Sequence, residues 1–176
     1  RLSRLVSTLL DITRIQAGER KFSKTSFDIC EMAREIIISF EKRIEAKNLD
    51  VEFECENDKM LAFADRDAIY QVLYNICDNA VKFSREGGKY RIRITSKDKK
   101  INVSVYNEGQ GIPEEDLAIV FDRFYKSDKS RGLDKSGVGL GLYIAKTIID
   151  AHGEEIKVRS VWGQYCEFIF TLTKGK

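Results

Sequence analysis

Glycines at alternate positions open one stretch of this sequence, SGVGLGLYIAKTIIDAHG at residues 136–153. Gly137, Gly139 and Gly141 come directly before an apolar run with helical character. Because glycine is costly inside a helix and weak in a strand, this concentration indicates that something approaches the backbone closely. A helix start also presents unpaired N–H groups and the positive end of the helix dipole. The stretch is therefore a candidate cradle for a phosphate group.

Two familiar phosphate-binding motifs do not fit this stretch. A dinucleotide fingerprint, G-x-G-x-x-G, would need a glycine where Leu142 stands. A phosphate loop could begin at Gly132 and reach Gly137, but Val138 and Gly139 follow where the motif has lysine and then serine or threonine. The glycines need another explanation.

The helix predicted over QVLYNICDNAVKFS, residues 71–84, carries a second group of candidate residues. Its apolar residues share one arc, and a second arc beside it holds Asn75, Asn79 and Lys82. Asp78 is predicted to point the other way. Amide oxygens beside a cation suit a hydrated magnesium ion and phosphate oxygens. Taken alone, however, the pattern is better explained as an ordinary polar rim.

Two further segments lie between that helix and the glycine-rich stretch. VYNEGQGIP, residues 105–113, ends a predicted strand with Gly109 and Gly111, and glycines at such a place let a flat ligand lie against the backbone. VFDRFYK, residues 120–126, places two phenylalanines around an arginine. The order of the four segments is far more specific than any one of them.

This order of segments resembles the ATP-binding catalytic domain of sensor histidine kinases, within the ATPase superfamily shared with gyrase B, the Hsp90 chaperone and the MutL repair protein. NICDNAVKFS is similar to the family's N box, NEGQGI to its first glycine box, FDRFYK to its F box and GVGLGL to its second glycine box. The opening RLSRLVSTLLDITRIQAG is similar to the second helix of the dimerisation and phosphoacceptor hairpin. The resemblance implies that the first helix, with the reactive histidine, lies outside this chain.

The resemblance also implies a nucleotide site with defined roles. Asn79 would bind Mg²⁺, while Asn75 one turn earlier and Lys82 one turn later would contact the metal shell or the phosphates. Asn107 stands where the family usually has the aspartate that accepts a hydrogen bond from the adenine amino group. Its carbonyl oxygen can accept the same bond without charge, so we expect adenine selectivity with weaker affinity. The other implied nucleotide contacts are Phe83, Gly109, Gly111, Ile112, Phe124, Gly137, Val138, Gly139, Leu140, Gly141, Leu142 and Cys166.

Other positions near the C-terminus depart from the family's pattern. Where a G-x-G-T stretch often lines the adenine pocket, Tyr165 and Cys166 replace a glycine and the threonine, which leaves the threonine's polar contact open. Glu154 replaces a glycine after the pair His152-Gly153. His152 is the only histidine, and it lacks the sequence surroundings of a phosphoacceptor site. We expect it to help close the C-terminus of a helix.

The polar stretch KSDKSRGLDKS, residues 126–136, resembles the loop that covers ATP in this family. Its small and charged residues leave few apolar contacts to hold it still. Lys126, Lys129 or Arg131 could reach the γ-phosphate and neutralise charge that develops during transfer. For each of these three residues taken alone, a place in a solvated loop without phosphate contacts is about as good an explanation as a contact with the γ-phosphate.

Three functions compete for this set of residues. In the ATP-hydrolysing relatives a glutamate one turn before the metal-binding asparagine activates water, and here Asn75 occupies that position and cannot act as a base. We therefore expect a histidine kinase domain that uses Mg-ATP, phosphorylates a histidine on the missing helix and serves a response regulator receiver domain. An inactive nucleotide-binding pseudokinase is the alternative, favoured if Tyr165 and Cys166 fill the pocket. A structural dimer module would rest on the first helix alone.

Composition excludes other classes of protein. The 176 residues carry a net charge of +2, which is too small to indicate nucleic acid as a partner. The four cysteines are far apart and lie in apolar patterns, so we interpret them as free thiols in a reducing compartment. No apolar run is long enough to span a membrane, and we expect a cytoplasmic domain. Whether a preceding part of the protein is membrane-anchored stays open.

The predicted fold is an α/β (α+β) two-layer sandwich, with a mixed, mostly antiparallel sheet covered on one face by three helices, plus an N-terminal helix. Residues 1–19 are assigned to the hairpin helix and residues 22–176 to the catalytic domain. We expect the apolar seam of the first helix to be covered by another chain, as in a homodimer, or by an absent helix, with docking on its own domain as the alternative. The predicted helices cover residues 29–47, 65–84 and a run starting near Val138, and the predicted strands cover 50–55, 90–96, 101–107, 155–161 and 165–172.

Overall fold

The computed structural model describes residues 2–16, 18–122, 125 and 139–176. The helices in these ranges are α1 (Leu2–Gln16), α2 (Ile29–Ser39), α3 (Glu41–Ala46), α4 (Arg66–Phe83) and α5 (Gly141–Ala151), with a short 3₁₀ helix at Glu114–Asp116. The strands are β1 (Lys24–Asp28), β2 (Asp50–Cys55), β3 (Leu61–Asp65), β4 (Lys89–Lys97), β5 (Lys100–Glu108), β6 (Ile156–Val161) and β7 (Tyr165–Lys174).

The strands form one sheet in the order β1-β3-β7-β5-β4-β2, with β6 pairing with β7 beside this path. Only β2 and β4 run parallel among the described strands, and every other pair is antiparallel. The predicted mixed, mostly antiparallel sheet is therefore confirmed. The predicted hairpin of β4 and β5 is also present, and it turns at Asp98, whose φ is +56°.

One face of the sheet forms the core with the helices. Alternate residues of three neighbouring strands point into it and are all buried, as the strict period of 2 in the sequence predicted. Each such side chain contributes about 1.5–3 kcal/mol of transfer free energy. They are Ile92 and Ile94 of β4, Ile101, Val103 and Val105 of β5, and Phe168, Phe170 and Leu172 of β7.

Helix α4 lies on this core and is fixed at both ends. At its start, Asp65 caps the helix by accepting a hydrogen bond from the Ala68 N–H at 3.0 Å. At its end, the Lys47 ammonium donates to three backbone carbonyl oxygens at distances of 2.6–3.1 Å. The helix is therefore a well-defined platform for the polar side chains on its rim.

The helix predicted over residues 29–47 is interrupted, which corrects that prediction. Its start is as expected, because Asp28 accepts a hydrogen bond from the Cys30 N–H at 3.0 Å. At Phe40 the chain leaves helical geometry and α2 gives way to α3. Phe40 is buried and its ring lies 5.0 Å from that of Tyr74 on α4. Packing of this ring against α4 outweighs the local helical preference.

Strands β1 and β3 were not predicted from the sequence. Each has five residues, and β1 exposes its first three side chains. They pair with each other along their whole length. Short strands with so little alternation of apolar and polar residues give almost no periodic signal.

Among the α1 side chains that the structure describes, those near the end of the helix meet its own domain. Ile12 is buried and α1 contacts α5. Val6, Leu9 and Leu10, nearer the start of the helix, are exposed by 39–52%. Docking on its own domain therefore holds for the end near Ile12, and a cover for the exposed residues stays a prediction. In the described part of the chain, no helix is long and apolar enough to cross a membrane.

Glu154, which departs from the family's glycine, has a structural role. Its carboxylate is 5% exposed and accepts hydrogen bonds from the Lys100 ammonium at 2.5 Å, Thr171 Oγ1 at 2.9 Å and Thr173 Oγ1 at 2.8 Å. Burial alone would raise the pKa of Glu154, but these three hydrogen bonds outweigh it and hold the pKa below its usual value. The residue joins the turn after α5 to β5 and β7.

We expect the variant Glu154→Gln to lose about 1–3 kcal/mol of unfolding free energy at neutral pH. Because the folded pKa of Glu154 lies below the ordinary value of 4.5, its ionised form stabilises the fold above that pH. This contribution disappears as the pH falls through the folded pKa, so the variant and the wild type should converge in acid. Urea unfolding at neutral pH and near pH 3 measures this. The exposed neighbour Glu155→Gln is the control, and an equal difference at both pH values would contradict the assignment.

Candidate nucleotide-binding site

The rim of α4 carries two asparagines, and the first of them lies beside the start of α5. Asn75 and Asn79, one turn apart, are both half-buried. The Asn75 amide donates from Nδ2 to the Gly141 carbonyl oxygen at 3.3 Å, which ties the two helices together. Asn79 makes no hydrogen bond with any residue that the structure describes, so its amide oxygen is available to a ligand.

Lys82 takes part in an ion-pair network on the same helix. Its ammonium lies 3.2 Å from Asp78 Oδ2, and Asp78 Oδ1 accepts from Arg43 Nη1 at 2.6 Å. The prediction that Asp78 points away from Lys82 is wrong, because residues four apart on a helix are neighbours. A partly exposed pair of this kind contributes about 0–1 kcal/mol, so it does not preclude contact between Lys82 and a phosphate.

The end of β5 packs tightly against the end of α4. A Cβ added to Gly109 would lie 2.0 Å from the Phe83 carbonyl oxygen, so only glycine fits there. Gly109 also forms an isolated β-bridge with Ser84 and donates its N–H to the Gln164 carbonyl oxygen at 3.1 Å. Phe83 itself is half-buried. These contacts form a corner of backbone at the place where the resemblance puts the base.

Asn107 lies inside this corner with an unpaired amide. The residue is 3% exposed, and its Nδ2 atom is buried with no hydrogen-bond partner among the described residues. Leaving a buried donor unpaired costs about 1–3 kcal/mol, so such an atom points to a missing acceptor. Nδ2 lies 3.1 Å from the position of a Cβ on Gly109. The amide therefore belongs to the same corner as the backbone of Gly109 and Phe83.

The segment after Gly109 is held by the turn between β6 and β7. The Ile112 N–H donates to Ser160 Oγ at 2.7 Å, and that hydroxyl donates to the Tyr165 carbonyl oxygen at 2.7 Å. Gly111 has φ +71°, and a Cβ there would lie 2.6 Å from the Val161 carbonyl oxygen. The sequence reasoning missed Ser160, since a single serine within a strand of ordinary alternation carries no signal.

Cys166 and Tyr165 lie on opposite faces of β7. Cys166 is buried and stands directly across from Asn107, and burial raises the pKa of its thiol to about 12. Tyr165 points to the outer face, where its ring stacks on that of Tyr106 with centroids 5.4 Å apart. Arg91 lies over the Tyr106 ring, 4.5 Å from its centroid. Tyr165 therefore does not fill the pocket, so only Cys166 remains of the two residues whose filling of the pocket would favour a pseudokinase.

Helix α5 begins at Gly141, so the predicted start near Val138 is corrected to a position three residues later. Gly139 has φ +77°, a left-handed conformation that cannot continue a helix and that suits glycine. Leu140 provides no side-chain cap, and the first turn holds no acidic residue. Leu140 thus leaves the first N–H groups of α5 uncapped, and such groups can bind an anion. Leu140 is buried and Leu142 is half-buried.

Several predicted site residues lie outside the described residues. They are Phe124, Lys126, Lys129, Arg131, Gly137 and Val138. Around them, Phe121 contacts Phe168 edge to face with centroids 5.9 Å apart, and the Tyr125 hydroxyl donates to Asp116 Oδ2 at 2.9 Å. Phe121 is therefore anchored on the sheet, and Tyr125 on the 3₁₀ helix.

His152 has the structural role predicted for it. It caps the C-terminus of α5, with Nδ1 2.9 Å from the Ile148 carbonyl oxygen, and Nε2 accepts a hydrogen bond from the Asp65 N–H at 3.2 Å. The Phe22 ring lies 4.7 Å from the imidazole. Both ring nitrogens are engaged, which leaves neither as a nucleophile.

This arrangement, an α/β domain with amides on a helix rim, an uncapped helix start and a buried amide at a glycine corner, is that of a nucleotide-binding catalytic domain. Residues 64–176 match the family described as Histidine kinase-, DNA gyrase B-, and HSP90-like ATPase. The chain belongs to this family.

Two sensor proteins are among its relatives. The chain is 38% identical over 176 residues to sensor histidine kinase WalK of Bacillus subtilis, covering 98% of this chain and 28% of WalK. It is 34% identical over 174 residues to sensor protein SrrB of Staphylococcus aureus, covering 99% of this chain and 30% of SrrB. The chain thus spans less than a third of the length of these relatives.

Solved structures of histidine kinases share the fold. The catalytic domain of ThkA superposes with a TM-score of 0.76 at 36% identity, covering 87% of this chain and 99% of that one. ThkA in complex with response regulator protein TrrA superposes with a TM-score of 0.77 at 33% identity, covering 99% of this chain and 48% of that one. Full-length ShkA in complex with AMPPNP superposes with a TM-score of 0.85 at 26% identity. The match covers 99% of this chain and 36% of the ShkA chain.

Proposed function

We propose that this chain binds Mg-ATP between α4 and the start of α5 and donates the γ-phosphoryl group to a histidine outside the chain. The observation that carries the proposal is the hydrogen bond from Asn75 to the Gly141 carbonyl oxygen, which sets the amides of α4 beside the uncapped start of α5. Polyphosphate and metal would occupy this place, and the base would lie against Gly109 and Asn107. The AMPPNP bound to ShkA supports ATP as the nucleotide.

Asn79 would hold the magnesium ion together with phosphate oxygens of the nucleotide. Its free amide oxygen is a hard ligand of the kind that Mg²⁺ takes, and Mg²⁺ is commonly bound by few protein groups plus substrate phosphates. No cluster of three or more His, Cys, Asp or Glu side chains suited to a metal occurs among the residues that the structure describes. When bound, the ion neutralises phosphate charge.

Transfer to histidine is favoured over hydrolysis because an amide stands where the ATP-hydrolysing relatives have a base. Asn75 occupies the position one turn before Asn79, and an amide cannot take a proton from water. A neutral imidazole is itself a nucleophile, so transfer needs mainly positioning and charge neutralisation. The bond from the γ-phosphorus to its bridging oxygen breaks while a phosphorus–nitrogen bond forms and the imidazole loses its proton. Lys82, Lys126 and Arg131 would neutralise the developing charge.

In the whole protein, residues 1–19 would be the second helix of a dimerising hairpin and residues 22–176 the catalytic domain. The exposed Val6, Leu9 and Leu10 of α1 support a partner helix along this seam, within a homodimer. The complex of ThkA with response regulator protein TrrA supports a receiver domain as the next acceptor. The proposed use of ATP and of such a partner supports a cytoplasmic location for this domain.

Calorimetry with the non-hydrolysable analogue AMP-PNP tests the nucleotide site. We expect a dissociation constant between about 1 µM and 1 mM in the presence of magnesium, and at least tenfold weaker binding without it. Absence of binding at millimolar analogue would overturn the proposal. For the transfer step, a longer chain that includes the preceding helix should form an acid-labile phosphohistidine from ATP. Inorganic phosphate release in place of phosphohistidine would instead indicate a hydrolase.

A further inference from the structure

The proposed pocket presents a neutral amide, that of Asn107, at the end where the base would lie. Asn107 is buried, its Nδ2 atom lacks an acceptor among the described residues, and that atom lies 3.1 Å from the position that a Cβ on Gly109 would take. The residues across the two neighbouring strands are Tyr90 and Cys166, and both are buried. Whatever base fills this corner must supply an acceptor to the Asn107 amide group as well as a donor to its carbonyl oxygen.

No carboxylate of the described strands shares this face with Asn107. Glu108 and Glu167 follow in sequence on β5 and β7, and alternation puts them on the outer face of the sheet. There Glu108 accepts from the Lys89 N–H at 2.8 Å and Glu167 accepts from Ser104 Oγ at 2.6 Å. The Cys166 thiol stays protonated at neutral pH, since burial raises its pKa to about 12. The wall that would face the base is therefore uncharged.

A neutral amide and a carboxylate select purines differently. A carboxylate only accepts hydrogen bonds, which suits the N6 amino group of adenine and opposes the O6 carbonyl of guanine. A primary amide both donates and accepts. In one orientation its oxygen accepts from N6–H and its nitrogen donates to N1 of adenine. Turned by 180° about the last side-chain bond, its nitrogen donates to O6 and its oxygen accepts from N1–H of guanine.

We propose that this pocket binds guanine as well as adenine nucleotides, and that Asn107 is the residue that sets this breadth. The proposal rests on the proposed function, because it assumes that a purine base lies against Asn107. The last side-chain torsion of asparagine is broad and roughly two-fold, so both orientations are accessible without a strained rotamer. Gly109 and Gly111 add no side chains that could screen either purine edge. The buried Nδ2 atom supplies the second half of the recognition, beside the carbonyl oxygen.

The test compares AMP-PNP with GMP-PNP, each with magnesium, by calorimetry on the whole chain. We expect the wild-type dissociation constants to lie within about tenfold of each other. In Asn107→Asp, the ratio of the guanine to the adenine constant should rise at least tenfold, because a carboxylate then faces O6. Asn102→Asp is the matched control, since it adds the same charge to β5 on the opposite face and should leave the ratio unchanged. Thermal unfolding shows whether each variant is folded.

The outcomes separate the two proposals. Wild-type binding of AMP-PNP with a GMP-PNP constant more than about 100-fold weaker would overturn the inference while leaving the proposed function intact. A ratio that stays the same in folded Asn107→Asp would also overturn it, since Asn107 would then not read the base. If neither analogue binds the wild type, the proposed function fails and the inference fails with it.

Discussion

Replacing Asn79 with alanine is expected to weaken binding of magnesium-bound AMP-PNP by about 10- to 100-fold, which corresponds to about 1.4–2.8 kcal/mol. The reason is that the amide oxygen is the one protein ligand proposed for the ion, and alanine supplies none. The fold should tolerate the change. Asn79 is half-buried without hydrogen bonds to described residues, and alanine has the higher helix propensity. The melting temperature of the unliganded chain should therefore stay the same or rise slightly.

Magnesium dependence makes this prediction specific. Without magnesium, wild type and Asn79→Ala should bind the analogue equally weakly, since the missing ligand then has no ion to hold. Gln71→Ala is the control, because Gln71 lies about two turns earlier on the same helix and the change also removes an amide side chain. An equal loss of affinity with and without magnesium would assign Asn79 to the phosphates or to packing instead.

Replacing Gly109 with alanine should destabilise the fold by about 3 kcal/mol and lower the melting temperature by roughly 6–12 °C. The new Cβ would lie 2.0 Å from the Phe83 carbonyl oxygen and 3.0 Å from its carbonyl carbon. Both atoms are backbone, so relief requires the end of α4 to separate from the end of β5. The same separation would displace Asn107 and should reduce binding of AMP-PNP below detection.

Gly153→Ala is the matched control for this substitution. Gly153 has φ +71° but nothing within 4 Å of its Cβ position, so alanine meets only the left-handed backbone there. We expect a loss of about 1 kcal/mol and normal nucleotide binding. Urea unfolding and calorimetry of both variants measure the difference. Similar losses of unfolding free energy in Gly109→Ala and Gly153→Ala would show that the contact at Phe83 relaxes easily.

The features predicted well from the sequence are those with a strong local period. The helix α4 repeats its apolar residues every three or four positions, and β4, β5 and β7 alternate strictly. These elements carry Asn75, Asn79 and Asn107, so the main positions of the candidate site followed from pattern and resemblance. The order of the glycine-containing segments then limited the choice of fold.

What the sequence did not reveal depends on contacts between distant segments. The break at Phe40 follows from packing on Tyr74, and the pairing of β1 with β3 follows from a sheet that already exists. Ser160 acts through two backbone groups that lie far from it or across a turn. The outward direction of Tyr165 needed the register of β7 against β5, because a one-residue shift would have turned its ring into the pocket.

The Lys47 ammonium at the end of α4 has a consequence for nucleotide binding. Three carbonyl oxygens that would otherwise require water or ligand are already paired, so the last turn of the helix keeps its shape in the empty protein. Ordering one residue costs about 1–2 kcal/mol of conformational entropy, and here folding rather than the ligand has met that cost. The wall of the pocket formed by α4 is thus preorganised, and association of the nucleotide with this wall does not have to wait for a helix to form.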